Sequence, residues 1–331
     1  MPSAADSDLA NAERFASEHA ARLRHVAQRA RWIVWSGHAW QTDVTGDAQR
    51  AAKATARRML DQAATIDDDK RRQAAIRWAL SSQSERGLRS MLTVASTEPQ
   101  LVVSADDLDA DPMLLACPNG TIDLRTGKLG PADPTSLITR STAVPFDPAA
   151  ECQRWERTLR EVFDDEELIA FFHRWVGYNL TGDTREHVLI VLHGAGCNGK
   201  STIVEVVKQL AGDLAVTAAF DTFSRTRGGG GPRNDLARLA GARIVVASES
   251  GEGRRLDEAT VKEVTGGDTI AARFLYGEHF EFAPAFKLWL VTNHRPRIDG
   301  DDDAIWRRLR LIPFNVSFEG REDRTLSAKL H

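Results

Sequence analysis

The chain has 331 residues, of which 42% are hydrophobic and 27% are charged, a composition typical of a globular protein with about two domains. Its net charge of −4 offers no overall basic field for a nucleic acid, and no stretch approaches the roughly 18 apolar residues of a membrane span. The first residues lack the apolar core of a secretory signal. Three scattered cysteines without a CxxC pair argue against a zinc site or a disulfide framework and favour a reducing cytoplasm.

The first predicted elements are a helix, a hairpin and a long helical region. Apolar residues at 8–29 recur at helical spacing, which predicts an amphipathic helix. Residues 31–40 hold two short aromatic runs around Ser36-Gly37, a pattern typical of a hairpin. Residues 47–95 again follow a helical period. The tryptophans of the hairpin suit either core packing or a base-stacking platform, and packing is the favoured interpretation.

A turn-rich segment and a second helical stretch follow. Residues 106–147 are rich in Asp, Pro, Gly and Thr, and aspartates in such loops usually cap helices or face solvent rather than bind metal. The aspartates in question are Asp106, Asp107, Asp109 and Asp111. Residues 151–180 show apolar helical spacing and end at Thr181-Gly182-Asp183. This helical stretch suits either a subunit contact or the core of its own domain.

The most informative segment is a glycine-rich loop between a predicted strand and a predicted helix. The run GAGCNGKS at 194–201 satisfies G-x-x-x-x-G-K-[ST], with an apolar run at 187–193 before it and helical spacing at 202–210 after it. Glycines let backbone N–H groups surround a phosphate, and the helix adds the positive end of its dipole. A glycine-rich turn with a chance Lys-Ser pair is the alternative, which both flanking elements disfavour.

We therefore predict a nucleoside-triphosphate site on this loop. Lys200 is expected to reach the β- and γ-phosphates, and the Ser201 hydroxyl is expected to ligate Mg²⁺. The residues expected to bind ATP are Gly194, Ala195, Gly196, Cys197, Asn198, Gly199, Lys200, Ser201 and Thr202.

Two later strands are expected to complete the site. One ends in Glu249, where a phosphate-loop enzyme needs an acid to polarise the attacking water or hold the water shell of the metal. Ser248 stands where many such enzymes have a metal-binding aspartate, so Glu249 is expected to be the main acid, with Glu252 as the alternative. Another strand ends in Asn293, whose amide can orient the water or contact the γ-phosphate.

A basic loop, a hairpin and paired arginines are the remaining candidate features. The glycine-rich segment at 223–233 suits either a plain surface loop or a loop that faces nucleotide or DNA. Alternating runs at 270–276 and 279–282 predict a tight hairpin. Arg307 and Arg308 precede a further apolar strand, and an arginine supplied across a subunit interface can stabilise transition-state charge.

Five motifs in a fixed order carry a resemblance to a known family. They are GAGCNGKS, the strand ending in ASE, TGGD with the hairpin after it, KLWLVTNHRP and AIWRRLRLIPF. The upstream segments NAERF, WIVWSGHAW, CPNGTIDLRTG and GYNLTGDT fit the same pattern. Over nearly its whole length, the chain resembles the superfamily 3 helicases, specifically the phage/plasmid primase-like branch related to the poxvirus primase–helicase.

The resemblance implies an α/β fold with a P-loop, AAA+-like core around a central parallel sheet. A mixed α+β N-terminal domain and a helical linker are expected to precede this core. The implied divisions are a helicase-associated domain at 1–148, a helical linker or collar at 149–185 and the ATPase core at 186–331. Relatives carry a priming domain upstream and continue past His331, so priming is expected to lie outside this chain and its core to be C-terminally truncated.

The resemblance also implies a homo-oligomeric ring, expected to be a hexamer, that binds ATP between subunits and single-stranded DNA in its channel. The residues implied to act on ATP and Mg²⁺ in cis are Lys200, Ser201, Glu249 and Asn293, with Ser201 and Glu249 serving the metal. Arg308 is the implied finger from the neighbouring subunit, with Arg307 as the alternative.

The hairpin after TGGD is implied to project into the channel. The residues implied to contact DNA are Lys262, Arg273, Tyr276 and His279. Aromatic or imidazole stacking and phosphate contacts grip a strand without reading its sequence. Ordinary sheet packing of the hairpin is the alternative.

The expected function is that of an ATP-dependent DNA helicase in phage- or plasmid-type replication, located in the cytoplasm of a bacterial host without membrane contact. A primase and origin-binding or loading proteins are further expected partners. One alternative is a non-unwinding, DNA-bound ATPase that serves as an assembly platform. Another is a small-molecule kinase, in which the hairpin, the asparagine-ended strand and the paired arginines have no evident place.

Overall fold

The computed structural model describes residues 6–224, 234–249, 255–273, 279–294, 303–323 and 325–330. The chain divides into two compact units, one formed by Met1–Ala110 with Ala132–Thr139 and the other by Asp111–Pro131 with Arg140–His331. The domain boundaries expected near residues 148 and 185 stay predictions. No helix in the described ranges has the length and apolar character needed to cross a membrane.

The first unit combines four helices with a small sheet. Its elements are α1 Asp8–His19, β1 Leu23–Val26, β2 Arg31–Trp35, β3 Trp40–Thr42, α2 Asp47–Ala64, α3 Asp69–Ser82, α4 Glu85–Ala95 and β4 Val102–Val103. The strand order is β3-β2-β1-β4, with β1 and β4 parallel and the other pairs antiparallel. Apolar faces of all four helices close one core around Phe15 and Met91.

The predicted C-terminal end of the first helix is wrong. The Ser7 hydroxyl caps α1 by accepting a hydrogen bond from the Ala10 N–H at 3.1 Å, but the helix stops at His19 rather than at residue 29. Leu23 and Val26 are buried because β1 pairs with β2, and this long-range pairing overrides the local helical period. The residues beyond α1 therefore belong to the sheet.

The predicted hairpin at 31–40 is confirmed, and its tryptophans pack. β2 and β3 pair antiparallel with Trp35 opposite Trp40. Trp40 is fully buried and its indole N–H donates to the Pro134 carbonyl at 2.9 Å. Trp32 makes an edge contact with Phe15, with ring centroids 5.8 Å apart. Core packing, rather than base stacking, is thus the role that these contacts support.

The aspartates at 106–111 serve local structure, as predicted. Asp106 and Asp107 lie in a short 3₁₀ turn that Ser104 caps. Asp109 accepts a hydrogen bond from the Thr139 N–H at 2.7 Å. In the second unit, Asp111 pairs with Arg125 at 2.7 Å. Within the described ranges, no group of three or more His, Cys, Asp or Glu side chains is arranged to hold a metal ion.

The second unit contains a five-stranded sheet, a three-stranded sheet and a hairpin. Its elements are β5 Leu114–Cys117, β6 Gly120–Asp123, β7 Lys128–Gly130, α5 Gln153–Phe163, α6 Glu166–Leu180, β8 Leu189–His193, α7 Lys200–Ala211, β9 Ala215–Ala219, α8 Asn234–Ala237, β10 Ile244–Ser248, α9 Glu258–Gly266, β11 Ile270–Arg273, β12 His279–Phe282, β13 Lys287–Thr292, α10 Asp303–Trp306, β14 Leu309–Pro313 and α11 Leu326–Leu330. The small sheet is the antiparallel meander β5-β6-β7, and β11 pairs antiparallel with β12.

The five-stranded sheet has the order β14-β8-β13-β10-β9, and every neighbouring pair is parallel. This confirms the predicted α/β fold, in which the central parallel sheet follows an N-terminal α+β region in the sequence. Successive residues of β8 face opposite sides, so Ile190 and Leu192 join one core cluster while Leu189 and Val191 join the other. Both faces are buried, which explains the continuous apolar runs of the strands.

The helices at 153–180 form part of the core of the second unit. Leu159 from α5 and Phe172 and Trp175 from α6 join the cluster on one face of the sheet. The indole N–H of Trp289 on β13 donates to the side-chain oxygen of Asn179 at 2.8 Å, and both residues are buried. Of the two roles that the sequence left open for these helices, an intradomain core is the one that these contacts support.

Two buried cations hold the amino ends of the central strands. Lys287 begins β13 and is 2% exposed, and Arg243 directly precedes β10. The Lys287 ammonium donates to the carbonyls of Thr181 and Asp183, the latter at 3.2 Å, and lies 4.7 Å from the centre of the Tyr178 ring. Arg243 donates to carbonyls at the end of α6 and at the start of β5. These contacts tie α6 to the sheet.

The Lys287 contact predicts a pH-dependent stability. Burial, the largest cause, together with the nearby charge of Arg243 lowers the pKa of Lys287 from its ordinary 10.5 to about 7, against the opposing effect of Asp183. Between pH 7 and 10.5 the unfolded chain keeps a proton that the folded chain has released. The free energy of unfolding should therefore rise with pH in this window, by at most about 1.4 kcal/mol per pH unit from this group. Urea unfolding at several pH values measures this slope.

The matched variants are Lys287→Met and Lys208→Met. Lys287→Met removes the titrating group and keeps an apolar stem, so the slope between pH 7 and 10.5 should flatten. Lys208→Met removes a lysine that pairs with Glu205 on the surface of α7, and the slope should stay as in the unmodified chain. An unchanged slope in Lys287→Met would contradict the assignment.

Candidate functional site

The glycine-rich loop lies between strand and helix, as predicted. β8 ends at His193 and α7 begins at Lys200. Gly196 and Gly199 have φ of +101° and +83°, and Cys197 has φ of +45°. These are left-handed conformations, which glycine adopts without a steric penalty, and such residues allow successive N–H groups to form an anion nest. The loop is therefore built to wrap an anion in front of the N-terminus of α7.

The segment that follows β14 holds the glycine-rich loop in place through hydrogen bonds. The Asn198 side-chain amide donates to the Phe314 carbonyl at 3.2 Å, and the Phe318 N–H donates to the Cys197 carbonyl at 2.7 Å. A Cβ at Gly194 would lie 2.4 Å from both the Asn198 amide nitrogen and the Phe314 carbonyl oxygen, so this position requires glycine. The motif pattern could not reveal this anchor because Phe314 and Phe318 are distant in sequence.

Lys200 lies inside the loop. The residue is 5% exposed, and its ammonium donates to the Gly194 carbonyl and to the side-chain oxygen of Asn198, the latter at 3.2 Å. Burial lowers the pKa of Lys200. The described contacts of this cation are neutral oxygens, so a phosphate group would give it the opposite charge that it lacks.

A cleft of about 440 Å³ opens at the carboxyl ends of the parallel strands. Residues 196–202 of the loop and helix line it. Ser248 and Glu249 at the end of β10 and residues 291–293 at the end of β13 line it as well. The predicted residues Lys200, Ser201, Thr202, Glu249 and Asn293 thus meet at one cleft, although they come from three segments of the chain. Gly194 and Ala195 belong to the loop but do not line the cleft.

The cleft suits a magnesium nucleotide. Mg²⁺ usually keeps several waters and is held by one or two protein oxygens together with phosphates of the substrate. Ser201 and Glu249 both line the cleft, and the hydroxyl of one and the carboxylate of the other are oxygen donors of this kind. The donor set therefore fits the predicted cofactor, with Ser201 as the direct candidate and Glu249 as the candidate for the water shell.

Glu249 is held against the neighbouring strand. Its N–H donates to the Val291 carbonyl at 2.9 Å, which extends the pairing of β10 with β13 by one residue. The Thr292 hydroxyl lies within hydrogen-bond distance of the Glu249 carboxylate and of the His294 carbonyl. It also accepts a hydrogen bond from the His294 N–H at 3.0 Å. Thr292 belongs to none of the predicted site positions.

The paired arginines lie away from the cleft of their own chain. Leu309 pairs with Leu189 at the amino end of the sheet, whereas the loop follows the carboxyl end of β8. Arg308 is half-buried, and its guanidinium donates to the Thr265 hydroxyl at 3.2 Å and to the Ala304 carbonyl at 2.8 Å. The Arg307 side chain is exposed, and no contact of its guanidinium occurs among the described residues.

Of the predicted DNA-contacting residues, Arg273 and His279 lie on the β11–β12 hairpin and Lys262 lies on α9. The antiparallel pairing is confirmed, but Arg273 lies opposite His279 in the register, so five residues separate the paired ends rather than the two expected of a tight hairpin. Lys262 is half-buried on α9, and Arg273 is half-buried at the end of β11. The Arg273 side-chain Nε is buried and has no hydrogen-bond partner in the described part of the chain. Tyr276, like Glu252 and the loop at 225–233, lies outside the described residues.

Two family models match the chain. The model described as "D5 N terminal like" matches residues 12–164, and a "Family of unknown function (DUF5906)" matches residues 192–308. Together the two matches span both halves of the chain. The second match covers the loop, Glu249, Asn293 and the paired arginines.

Viral proteins are among the similar sequences. A "putative helicase" of Acanthamoeba polyphaga mimivirus is 32% identical over 228 residues, which cover 67% of this chain and 24% of that protein. A "putative helicase" of Invertebrate iridescent virus 3 is 28% identical over 66% of this chain and 24% of its own length. A "putative primase" of African swine fever virus is 26% identical over 64% of this chain and 23% of that protein. The chain thus spans about a quarter of the length of these relatives.

One solved structure has a related fold over most of the chain. The apo structure of the NrS-1 C terminal region aligns with a TM-score of 0.55 and 11% identity, covering 93% of this chain and 62% of that one. At this identity the likeness concerns the fold alone. It agrees with the parallel sheet and the N-terminal α+β region described above.

Proposed function

Because this chain is a primase–helicase-like family protein, we propose that it is an ATP hydrolase that acts as a DNA helicase in replication. The names of the viral relatives, helicase and primase, support a helicase- or primase-like role in replication. The observation that carries the proposal is the cleft, where the loop residues Lys200 and Ser201 meet Glu249 and Asn293 from two adjacent strands.

Each of the four residues has a distinct task in this proposal. Lys200 turns from its two loop oxygens towards the β- and γ-phosphates and neutralises charge that develops during transfer. Ser201 would hold Mg²⁺ through its hydroxyl, and the bound ion would supply positive charge next to the phosphates. Glu249 accepts a hydrogen bond from the attacking water and orients it. Asn293 contacts the γ-phosphate or the same water through its amide.

The positive charge of an arginine that stabilises the transition state is proposed to come from a neighbouring subunit. Arg307 and Arg308 lie outside the cleft of their own chain, so neither reaches ATP in cis. The strand that follows them, β14, is an edge strand, and Trp306 and Leu311 near it are 54% and 46% exposed. An exposed apolar edge with arginines suits contact with a second copy of the chain. A closed homo-oligomer, a hexamer in our proposal, would complete each site.

The hairpin is proposed to contact single-stranded DNA in the channel of that ring. Arg273 and His279, which face each other where the two strands meet the turn, supply a guanidinium and an imidazole, and Lys262 supplies a second cation from α9. Tyr276 supplies an aromatic ring in this proposal. Such contacts bind backbone and bases without sequence readout. A primase and origin-binding or loading proteins are the proposed partners in replication. The proposed location is the cytoplasm of a bacterial host.

The test combines ATP hydrolysis with assembly. We expect ATP turnover that single-stranded DNA stimulates, and rings in negative-stain images and native mass spectra when an ATP analogue and DNA are present. Rings that bind DNA without turnover would favour the assembly platform. A monomer whose ATP turnover is unaffected by DNA but increases with a small-molecule phosphate acceptor would favour the small-molecule kinase. A monomer without ATPase would contradict the proposal.

A further inference from the structure

We propose that Thr292 is a positioning residue that sets the orientation of the Glu249 carboxylate. This inference rests on the proposed function, because it concerns how the cleft prepares its acid for the attacking water. The side chain of Thr292 ends β13 and is 2% exposed, so its hydroxyl has few alternative partners. It lies within hydrogen-bond distance of one Glu249 carboxylate oxygen, Oε2.

The hydroxyl has one proton and two acceptors to choose from. The Glu249 carboxylate and the His294 carbonyl both lie within its reach, and a hydroxyl donates to one acceptor at a time. The N–H of His294 donates to the same oxygen at 3.0 Å, which fixes that oxygen in place. Donation to Glu249 holds the carboxylate against β13, whereas donation to His294 leaves the carboxylate free to turn into the cleft.

Sheet register makes this contact specific. Ser248 is paired with Val291, so the next residues along the two strands, Glu249 and Thr292, are neighbours at the carboxyl edge of the sheet. Asn293 follows Thr292 directly and lines the same cleft. A hydroxyl at this position therefore links the acid of one strand to the backbone of His294, at the end of the next strand. Valine has the same shape but cannot donate.

The test compares Thr292→Val, Thr292→Ser and Thr292→Ala through steady-state kinetics and nucleotide binding. Thr292→Val should lower kcat by about 10- to 100-fold, the loss expected when a reacting group is misplaced by about 1 Å, with little change in nucleotide Kd. Thr292→Ser keeps the hydroxyl and should restore most of the turnover. Thr217→Val, on the exposed edge strand β9, is the matched control and should leave kcat unchanged.

A double variant separates positioning from a structural role. If Thr292 acts through Glu249, Thr292→Val should add no further loss to Glu249→Gln, because the acid it orients is already gone. A structural role would instead multiply the two losses and weaken nucleotide binding. Multiplied losses, a poor rescue by serine or an unchanged kcat in Thr292→Val would each overturn the inference.

A crystal structure keeps this test independent of turnover. In Thr292→Val bound to an ATP analogue, the Glu249 carboxylate should leave the position it occupies beside residue 292. A carboxylate that stays in place would overturn the positioning role even if the unmodified chain hydrolyses no ATP. Conversely, the unmodified chain could be inactive while the carboxylate is displaced in the variant. This result would refute the proposed function but support the positioning of Glu249 by Thr292.

Discussion

ATP hydrolysis by the Lys200→Ala variant is expected to fall to background. The loss should reach at least about 10²- to 10³-fold, the range seen when one donor to transition-state charge is removed from a site shielded from water. Lys200 is the cation inside the loop, and its present partners are the Gly194 carbonyl and the Asn198 side chain. Alanine leaves the developing phosphate charge without this counterion.

Thermal unfolding gives a second readout for the same variant. Burial lowers the pKa of Lys200, which means that holding the charged ammonium away from water destabilises the folded, nucleotide-free chain. The nucleotide-free variant should therefore unfold at a temperature close to that of the unmodified chain. Its stabilisation by ATP should be lost, because a ligand stabilises the folded state only at concentrations comparable to or above its Kd.

The matched control is Lys208→Ala on the same helix. Lys208 pairs with Glu205 at 3.1 Å on the outer face of α7 and does not line the cleft. Turnover and ATP-induced stabilisation should both survive this change. Turnover in Lys200→Ala that remains near that of the unmodified chain would remove Lys200, and with it the loop, from the mechanism.

Local signals explain why so much of the site was predictable. A strand, a left-handed glycine-rich loop and a helix N-terminus are encoded by consecutive residues, so GAGCNGKS at 194–201 predicts its own geometry. Glu249 and Asn293 each end an apolar run, and the carboxyl ends of parallel strands meet at one edge. The order of the strands in the sheet could not be predicted in this way, because it depends on pairings between residues far apart in the chain.

The features that could not be predicted depend on tertiary contacts. Lys287 begins an apolar strand, and a lysine there suggests a solvent-exposed end, yet carbonyls of the α6 terminus bury it. The predicted end of α1 is wrong because β1 forms through pairing with β2 and β4, which are separate segments of the chain. Thr292 carries no motif, and its contact with Glu249 follows from sheet register alone.

The second large effect concerns the arginine supplied between subunits. We expect Arg307→Ala to bind ATP normally but to lose about 10³- to 10⁵-fold in turnover, the contribution of an arginine finger in trans. Arg307 is exposed and its guanidinium has no contact within the described ranges, so it is available to a neighbour. Arg308 was the first choice from sequence, but its guanidinium is engaged with Thr265 and Ala304.

Mixed rings identify the finger directly. Lys200→Ala subunits keep their arginines, and Arg307→Ala subunits keep their loops, so each variant alone should be inactive. In a ring assembled from equal amounts of both, about a quarter of the interfaces should join an intact loop to an intact arginine, since each interface is heterologous. Turnover should return in proportion to these interfaces and depend on the mixing ratio.

Arg308→Ala and Arg310→Ala complete the comparison. Arg308 contacts the Thr265 hydroxyl of the TGGD turn, directly before the hairpin, so its loss should weaken DNA stimulation more than basal turnover. Arg310 is an exposed arginine of β14 and should tolerate alanine. Recovery of activity by Arg308→Ala in mixed rings, with full turnover of Arg307→Ala, would instead make Arg308 the finger. In that case the Thr265 contact must break when the ring closes, because one guanidinium cannot hold the turn and reach the ATP of a neighbour at once.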